Sequence, residues 1–121
     1  MNTPQTGIKR LFFAFINSYN GFIVAFRTQE SFRLDLLLFM TGSFIAVLLP
    51  ISILAKGVLI TSLMLILLME LTNTAIELLI DRISLKQHPL SKQAKDIGSF
   101  LVFLSIMNAL FLWLCILTVS F

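Results

Sequence analysis

Polar positions divide this chain into four apolar stretches. After a polar start, Met1 to Gly7, which reads as a frayed end, Ile8 to Thr28 is aromatic-rich and helical in pattern. Arg10, Asn17, Gly21 and Thr28 fall near one line of that helix, flanked by Lys9, Asn20 and Arg27. A narrow polar stripe on an apolar helix suits a helix lying in a membrane interface; the alternative is an amphipathic helix facing a protein core. Gln29 to Arg33 and Asp35 read as a short polar connection.

Leu36 to Ala55 then runs for 20 residues without a charge, enough to span about 30 Å of hydrocarbon. Pro50-Ile51-Ser52 and Lys56-Gly57 make a short return loop. Gly57 to Ile80 is a second span, uncharged until Glu70. Asp81 to Asp96, DRISLKQHPLSKQAKD, reads as a polar loop in which His88-Pro89 breaks the helix and Ser91 is a candidate cap for the next. Ile97 to Phe121 is the third span. The expected fold is all-α: one membrane-embedded domain over residues 1–121, with a surface helix at 8–28 and spans at about 36–55, 57–80 and 97–121.

The end of the second span, ELTNTAIELLIDR from Glu70 to Arg82, breaks the apolar pattern in a directed way. Glu70, Asn73, Glu77 and Asp81 are spaced by three, four and four, which a helix places on one face. Ionisable groups at membrane depth are costly, roughly 2.5 to 3.5 kcal/mol for a central Asp on insertion scales, and default to a functional reading. The structural alternative is that Glu70 and Glu77 pair with basic residues of neighbouring helices and only fix packing.

Composition agrees with a membrane protein: 58% of the 121 residues are hydrophobic and 12% charged, with mean hydropathy +0.97. No cleaved signal is expected, since the run after Lys9 and Arg10 is interrupted by Asn17, Asn20 and Gly21. The net charge of +3 comes from bases in two clusters, without the broad basic face of a nucleic-acid binder. Cys115, the single cysteine, reads as a small apolar residue in the last span. Basic residues in the amino-terminal segment and in the 82–96 loop, against Lys56 alone in the other loop, orient the first two towards the cytoplasm and the carboxyl terminus outside. The acidic seam, the basic loop and the interfacial helix then meet at one membrane surface, where cytoplasmic nucleotides are available.

Carboxylates beside Asn and Lys, with no His/Cys cluster, suit a hard cation such as Mg²⁺, which takes oxygen ligands and usually keeps substrate phosphates among them. Phosphoryl transfer needs such a metal, a cation to neutralise the transferring group and a base to orient the attacking hydroxyl. Glu70, Asn73, Glu77, Lys95 and Asp96 supply those chemistries. A P-loop is absent.

The pattern E-L-x-N-[ST]-A-I-E-x-x-x-D-R over residues 70–82, followed by H-x-L-S-x-x-A-K-D-x-G-S over residues 88–99, resembles the small prokaryotic diacylglycerol kinases, a family that includes undecaprenol kinases. The likeness covers nearly the whole chain from Gly7. It implies a homotrimer of three-span subunits in the bacterial cytoplasmic (inner) membrane, moving the γ-phosphate of MgATP to a lipid hydroxyl at the cytoplasmic face. By that resemblance Glu70 is the catalytic base and Glu77 a metal ligand. Asn73, Lys95, Asp96 and Ser99 surround the phosphates and substrate, and Arg10 meets the nucleotide. His88 matches a loop residue near the nucleotide, although a solvated loop histidine is the simpler reading. Asp81-Arg82-Ile83 and Gly98-Ser99 resemble the diacylglycerol branch more than the undecaprenol branch.

One position departs from the family pattern. A second metal-binding Glu is expected three residues before Phe32-Arg33, where this chain has Gln29, with Glu30 one step along. One step on a helix is about 100° of rotation, so Glu30 replaces the missing carboxylate only if the backbone shifts. Either Gln29 coordinates through its amide oxygen, or Glu30 reaches in. From a different class, a small oligomeric proton-coupled transporter also uses intramembrane Glu residues. The position of these acids near one end of a span, beside Lys95-Asp96, and a count of three spans rather than four, weigh against it.

Overall fold

The computed structural model describes residues 6–121; of the expected frayed start, Met1 to Gly7, residues 1–5 lie outside them and Gly7 already opens the first helix. Four helices follow one another: α1 (Gly7–Thr28), α2 (Glu30–Leu48), α3 (Ile53–Ile83) and α4 (Pro89–Ser120). No strand occurs among the described residues. The last three helices, of 19, 31 and 32 residues with mean hydropathies of 1.6, 2.0 and 2.5, are long and apolar enough to cross a bilayer. This is an all-α membrane protein with three candidate spans.

Helix ends differ from the sequence expectation, for local reasons. The stretch expected as a polar connection, residues 29–35, is helical from Glu30, leaving Gln29 alone between α1 and α2 with extended backbone, φ −117° and ψ 104°. Arg33 makes this junction by donating from Nη1 to the carbonyls of Phe26 at 2.6 Å and Arg27 at 3.4 Å. It thereby satisfies end carbonyls of α1 that have no partner within their helix. Lys56, expected in a return loop, lies in α3, and its Nζ does the same for Val47 of α2 at 2.7 Å. Ser52 Oγ opens α3 by accepting from the Ala55 amide at 3.1 Å.

The expected loop from Asp81 to Asp96 shrinks to residues 84–88. Asp81, Arg82 and Ile83 prolong α3, and α4 starts at Pro89, where a missing N–H costs nothing. Its cap is His88, whose Nδ1 accepts from the Leu90 amide at 3.1 Å; Ser91, the expected cap, sits inside the helix.

α3 packs against both α2 and α4, and the short links make each pair antiparallel. Leu63, Ile66 and Ala109 form one buried cluster, and Ala25, Phe32 and Leu67 another; Phe39 packs against both. Outward-facing Leu37, Met40, Phe44, Leu110 and Leu114 stay exposed, a surface suited to lipid rather than water. α1 stands clear of the bundle over most of its length and touches it near its end, where Ala25 is buried and Phe22 meets Phe32 edge-on at 6.0 Å. It is not a core-facing helix.

At about 1.5 Å per residue, α3 is about 46 Å long, against about 30 Å of hydrocarbon. About 20 residues counted from Ile53 end at Thr72, and counted from Gly57 they end at Ile76. Glu70 and Asn73 therefore lie within the last turns of the span or at its edge, and Glu77 and Asp81 beyond it.

Candidate functional site at the polar end of the bundle

The seam forms as a continuous helical face. Glu70 and Asn73 are half-buried between helices, whereas Glu77 and Asp81 are exposed. Two ion pairs occur among the described residues: Lys95 Nζ to Asp81 at 3.0 Å, joining α4 to α3, and Lys92 Nζ to Asp96 at 2.8 Å within α4. Neither involves Glu70 or Glu77. The packing-only alternative required those acids to pair with bases of neighbouring helices, and within this chain they do not.

Asn73 is held by close packing rather than by hydrogen bonds. Gly98 of α4 is buried opposite it, and a Cβ at that position would fall on Asn73 Oδ1. The same Oδ1 is buried with no hydrogen-bond partner in the chain. A buried amide oxygen without a partner costs roughly 1 to 3 kcal/mol, and this one is free to accept a hydrogen bond from outside the chain.

Next to the seam, a groove of about 760 Å³ opens between the ends of α3 and α4, lined in part by Asp81, Lys86, His88, Lys92, Lys95 and Asp96. Glu70, Asn73 and Glu77 lie outside it, so the site has two parts: an acid and amide face on α3, and, one turn beyond Glu77, a polar groove whose charges are three lysines and two aspartates. Of the expected residues, Lys95 and Asp96 line the groove, each engaged in an ion pair. Ser99 is exposed on α4, and Arg10 is exposed on the part of α1 that stands clear of the bundle. Gln29 donates from Nε2 to Thr28 Oγ1 at 3.3 Å, and Glu30 opens α2 with its side chain exposed. Both lie at the same end of the bundle as Glu77.

The fold also brings in a residue that the sequence left in a connection. Asp35 of α2 is half-buried beside Glu70 of α3. The signal available in the sequence was its phase, three residues from Phe32 and four from Phe39, which face the core.

The family model for prokaryotic diacylglycerol kinase matches residues 16–117. The chain belongs to the prokaryotic diacylglycerol kinase family. It is 42% identical to the diacylglycerol kinase of Pseudomonas aeruginosa over 113 residues, 93% of this chain and 92% of that protein. The diacylglycerol kinase of Escherichia coli K12 is 36% identical over 117 residues, 97% and 95% of the two chains. That of a Helicobacter pylori strain is 33% identical over 107 residues, 88% and 84%. The matched region includes both parts of the site, all of α2 and α3 and α4 as far as Leu117, and leaves out the first turns of α1 with Arg10.

A magnesium ion, which the family's chemistry implies, can be tested against the donors present. No group of three His, Cys, Asp or Glu side chains that could hold a metal occurs among the described residues. The donors at the polar end are oxygens: the exposed carboxylate of Glu77, the amide of Gln29 and the carboxylate of Glu30. Mg²⁺ seldom uses an all-protein cage and accepts one or two carboxylates with substrate phosphates. The set fits an ion that arrives with a nucleotide.

Proposed function

We propose that this protein is a lipid kinase that transfers the γ-phosphate of MgATP to the hydroxyl of diacylglycerol, giving phosphatidic acid and ADP. The observation that carries the reading is that Glu70 and Asn73, half-buried at the edge of a membrane-length helix, lie at the same end of the bundle as a groove lined by Lys86, Lys92 and Lys95 that opens two to three turns further along α3. A lipid hydroxyl reaches that depth from the bilayer, and a nucleotide reaches the groove from water. The apolar exterior and the family membership support a membrane lipid as acceptor; the likeness to the diacylglycerol branch favours diacylglycerol over undecaprenol.

In this mechanism Glu70 accepts the proton of the lipid hydroxyl as its oxygen bonds to the γ-phosphorus and the bond to the β,γ-bridging oxygen breaks. Asn73, with its unpartnered Oδ1, orients the acceptor. Lys95 leaves its exposed pair with Asp81 to meet phosphate, and Asp96, Ser99 and Arg10 complete the phosphate and nucleotide surroundings. Glu77, with Gln29 or Glu30, would hold Mg²⁺, which when bound neutralises charge on the β- and γ-phosphate oxygens. The working form is a homotrimer in the bacterial inner membrane, with the acid-bearing end of the bundle in the cytoplasm.

Purified protein in mixed micelles, given labelled ATP and Mg²⁺ with either diacylglycerol or undecaprenol, tests this directly. Label is expected in phosphatidic acid and lost in Glu70→Gln. Transfer to undecaprenol alone overturns the choice of acceptor, and no transfer to either lipid at any Mg²⁺ concentration overturns the kinase reading.

A further inference from the structure

Two polar side chains lie at membrane depth without a partner in the chain. Asn108 is half-buried on α4. At about 1.5 Å per residue it stands about 17 Å along the helix from Ile97, near the middle of about 30 Å of hydrocarbon. It makes no hydrogen bond among the described residues, whereas Ser105, one turn before it, donates to the Val102 carbonyl at 2.7 Å. Thr61, exposed on α3, makes none either, although Thr41, Thr72 and Thr118 each satisfy the hydroxyl on the carbonyl four residues back.

Both side chains line one groove of about 610 Å³ between α3 and α4, towards the end of the bundle away from the acids. Ser62, also in the groove, is buried and donates to the Leu59 carbonyl at 2.6 Å. The antiparallel packing sets Thr61 and Asn108 at one level. Gly98 lies against Asn73, and equal steps in opposite directions bring position 108 opposite 63, where Ala109 clusters with Leu63. Thr61 is about 3 Å along α3 from that level.

The groove follows a seam on α3. Gly57, Thr61, Met64, Leu68, Leu71 and Ala75 are exposed in steps of four and three that repeat every seven residues, the spacing at which a second helix packs alongside. Neighbours within the chain, α2 and α4, cover the other sides. No atom lies within 4 Å of where a Cβ on Gly57 would stand, so a helix can approach closely there. The area suffices as well. The chain exposes 9255 Å² at a mass of 13.7 kDa, against about 6,600 Å² for a compact monomer of that mass. The difference is shared between α1 and the open faces of the bundle, and is about three times the roughly 800 Å² that a standard interface takes from each partner.

An amide left unpaired in hydrocarbon is costly, and hydrogen bonds between helices relieve it. Lipid tails offer neither donor nor acceptor. A second copy offers both at the right depth, because copies inserted in one orientation carry Thr61 and Asn108 at the same level. We infer that this groove receives α3 of a second copy of the chain, with Asn108 of one copy hydrogen-bonded to Thr61 of the next. A contact from position 108 to position 61 repeats around a ring. It agrees with the homotrimer proposed above and does not depend on the kinase reading.

Two differently tagged copies, one with Thr61→Cys and one with Asn108→Cys, both with Cys115→Ala, test the surface when co-expressed and treated in the membrane with a short thiol cross-linker. A product carrying both tags is expected. None is expected when Leu110→Cys replaces Asn108→Cys, since Leu110 is exposed about 200° around α4 from Asn108. Absence of the product, or an equal yield from Leu110→Cys, leaves the groove to lipid and overturns the inference. Resonance energy transfer between labelled copies in dilute bilayers tests the hydrogen bond. Asn108→Leu is expected to weaken association about three- to tenfold, the scale of one interhelical hydrogen bond, and Asn108→Gln to retain most of it. Association unchanged or tightened in Asn108→Leu overturns the role of the amide. Neither assay uses ATP or a lipid substrate, so both decide the surface whether or not the protein phosphorylates lipid.

Discussion

Gly98→Ala separates the function of the polar end from its stability. The added methyl would land on Asn73 Oδ1, with Asn73 Cγ at 3.2 Å and Ile76 Cδ1 at 3.7 Å. Forcing a methyl into a packed contact costs about 1 to 3 kcal/mol if the helices must part. Here the obstacle is the tip of one side chain that makes no hydrogen bond through Oδ1, so Asn73 swings away and the stability loss stays near about 1 kcal/mol, the lower end of that range. Activity takes the larger loss. An amide displaced from the acceptor forfeits one to two hydrogen bonds' worth of transition-state stabilisation, about 10- to 100-fold in kcat. Gly42→Ala is the matched control: its Cβ meets the tip of Leu63 in the same way, but in the apolar interior. It is expected to shift the unfolding temperature as much and leave transfer intact. The double variant Gly98→Ala/Asn73→Ala should be no worse than Asn73→Ala alone, because both substitutions act through one side chain. Full activity in Gly98→Ala, or additive losses in the double variant, refutes the reasoning.

Three further outcomes follow from the geometry. The Asp81–Lys95 pair at 3.0 Å has side chains 46% and 44% exposed, so breaking it should cost only about 0.2 to 1 kcal/mol in detergent unfolding; Lys95→Met should nevertheless abolish most transfer while Asp81→Asn retains it, and equal losses would show that the pair, not the lysine, is what matters. Arg33→Ala removes charge-assisted bonds of about 1.5 to 3 kcal/mol from the α1–α2 junction. It should speed amide exchange over residues 22–29 without changing exchange in α3, and unchanged exchange at the junction would exclude the tie. Gln29→Glu is expected to lower the Mg²⁺ concentration needed for half-maximal activity, with Glu30→Gln as the comparison; if neither moves it, the metal site is built elsewhere.

Hydropathy made the membrane helices legible, because the cost of inserting a residue depends mainly on its own side chain. Their ends were less legible, since charge was read as loop. Asp81 and Arg82 continue α3 because water, once reached, imposes no penalty on charged helical residues. Pro89 begins α4 because the first turn of a helix has no use for its missing N–H. The seam of Glu70, Asn73 and Glu77 was legible as a face, whereas its neighbours were not. Asp35 and Gly98 meet it across helix–helix contacts, and such contacts depend on register, which no periodicity within one segment contains. Phe39 and Leu63 set that register, and in the sequence they are two apolar residues among many.

Gln29 shows the same limit from the other side. A rotation of about 100° per residue applies only inside a helix, and at Gln29 the backbone is extended. The phase difference that separated Gln29 from Glu30 therefore does not measure how far either side chain must move. Gln29 lies at the hinge of two helices, its amide held only by Thr28, and Glu30 opens the next helix with an exposed carboxylate. A substitution at the junction changes donor type without disturbing a helix interior. An effect of Gln29→Glu on Mg²⁺ dependence would thus report coordination chemistry rather than a lost turn of helix.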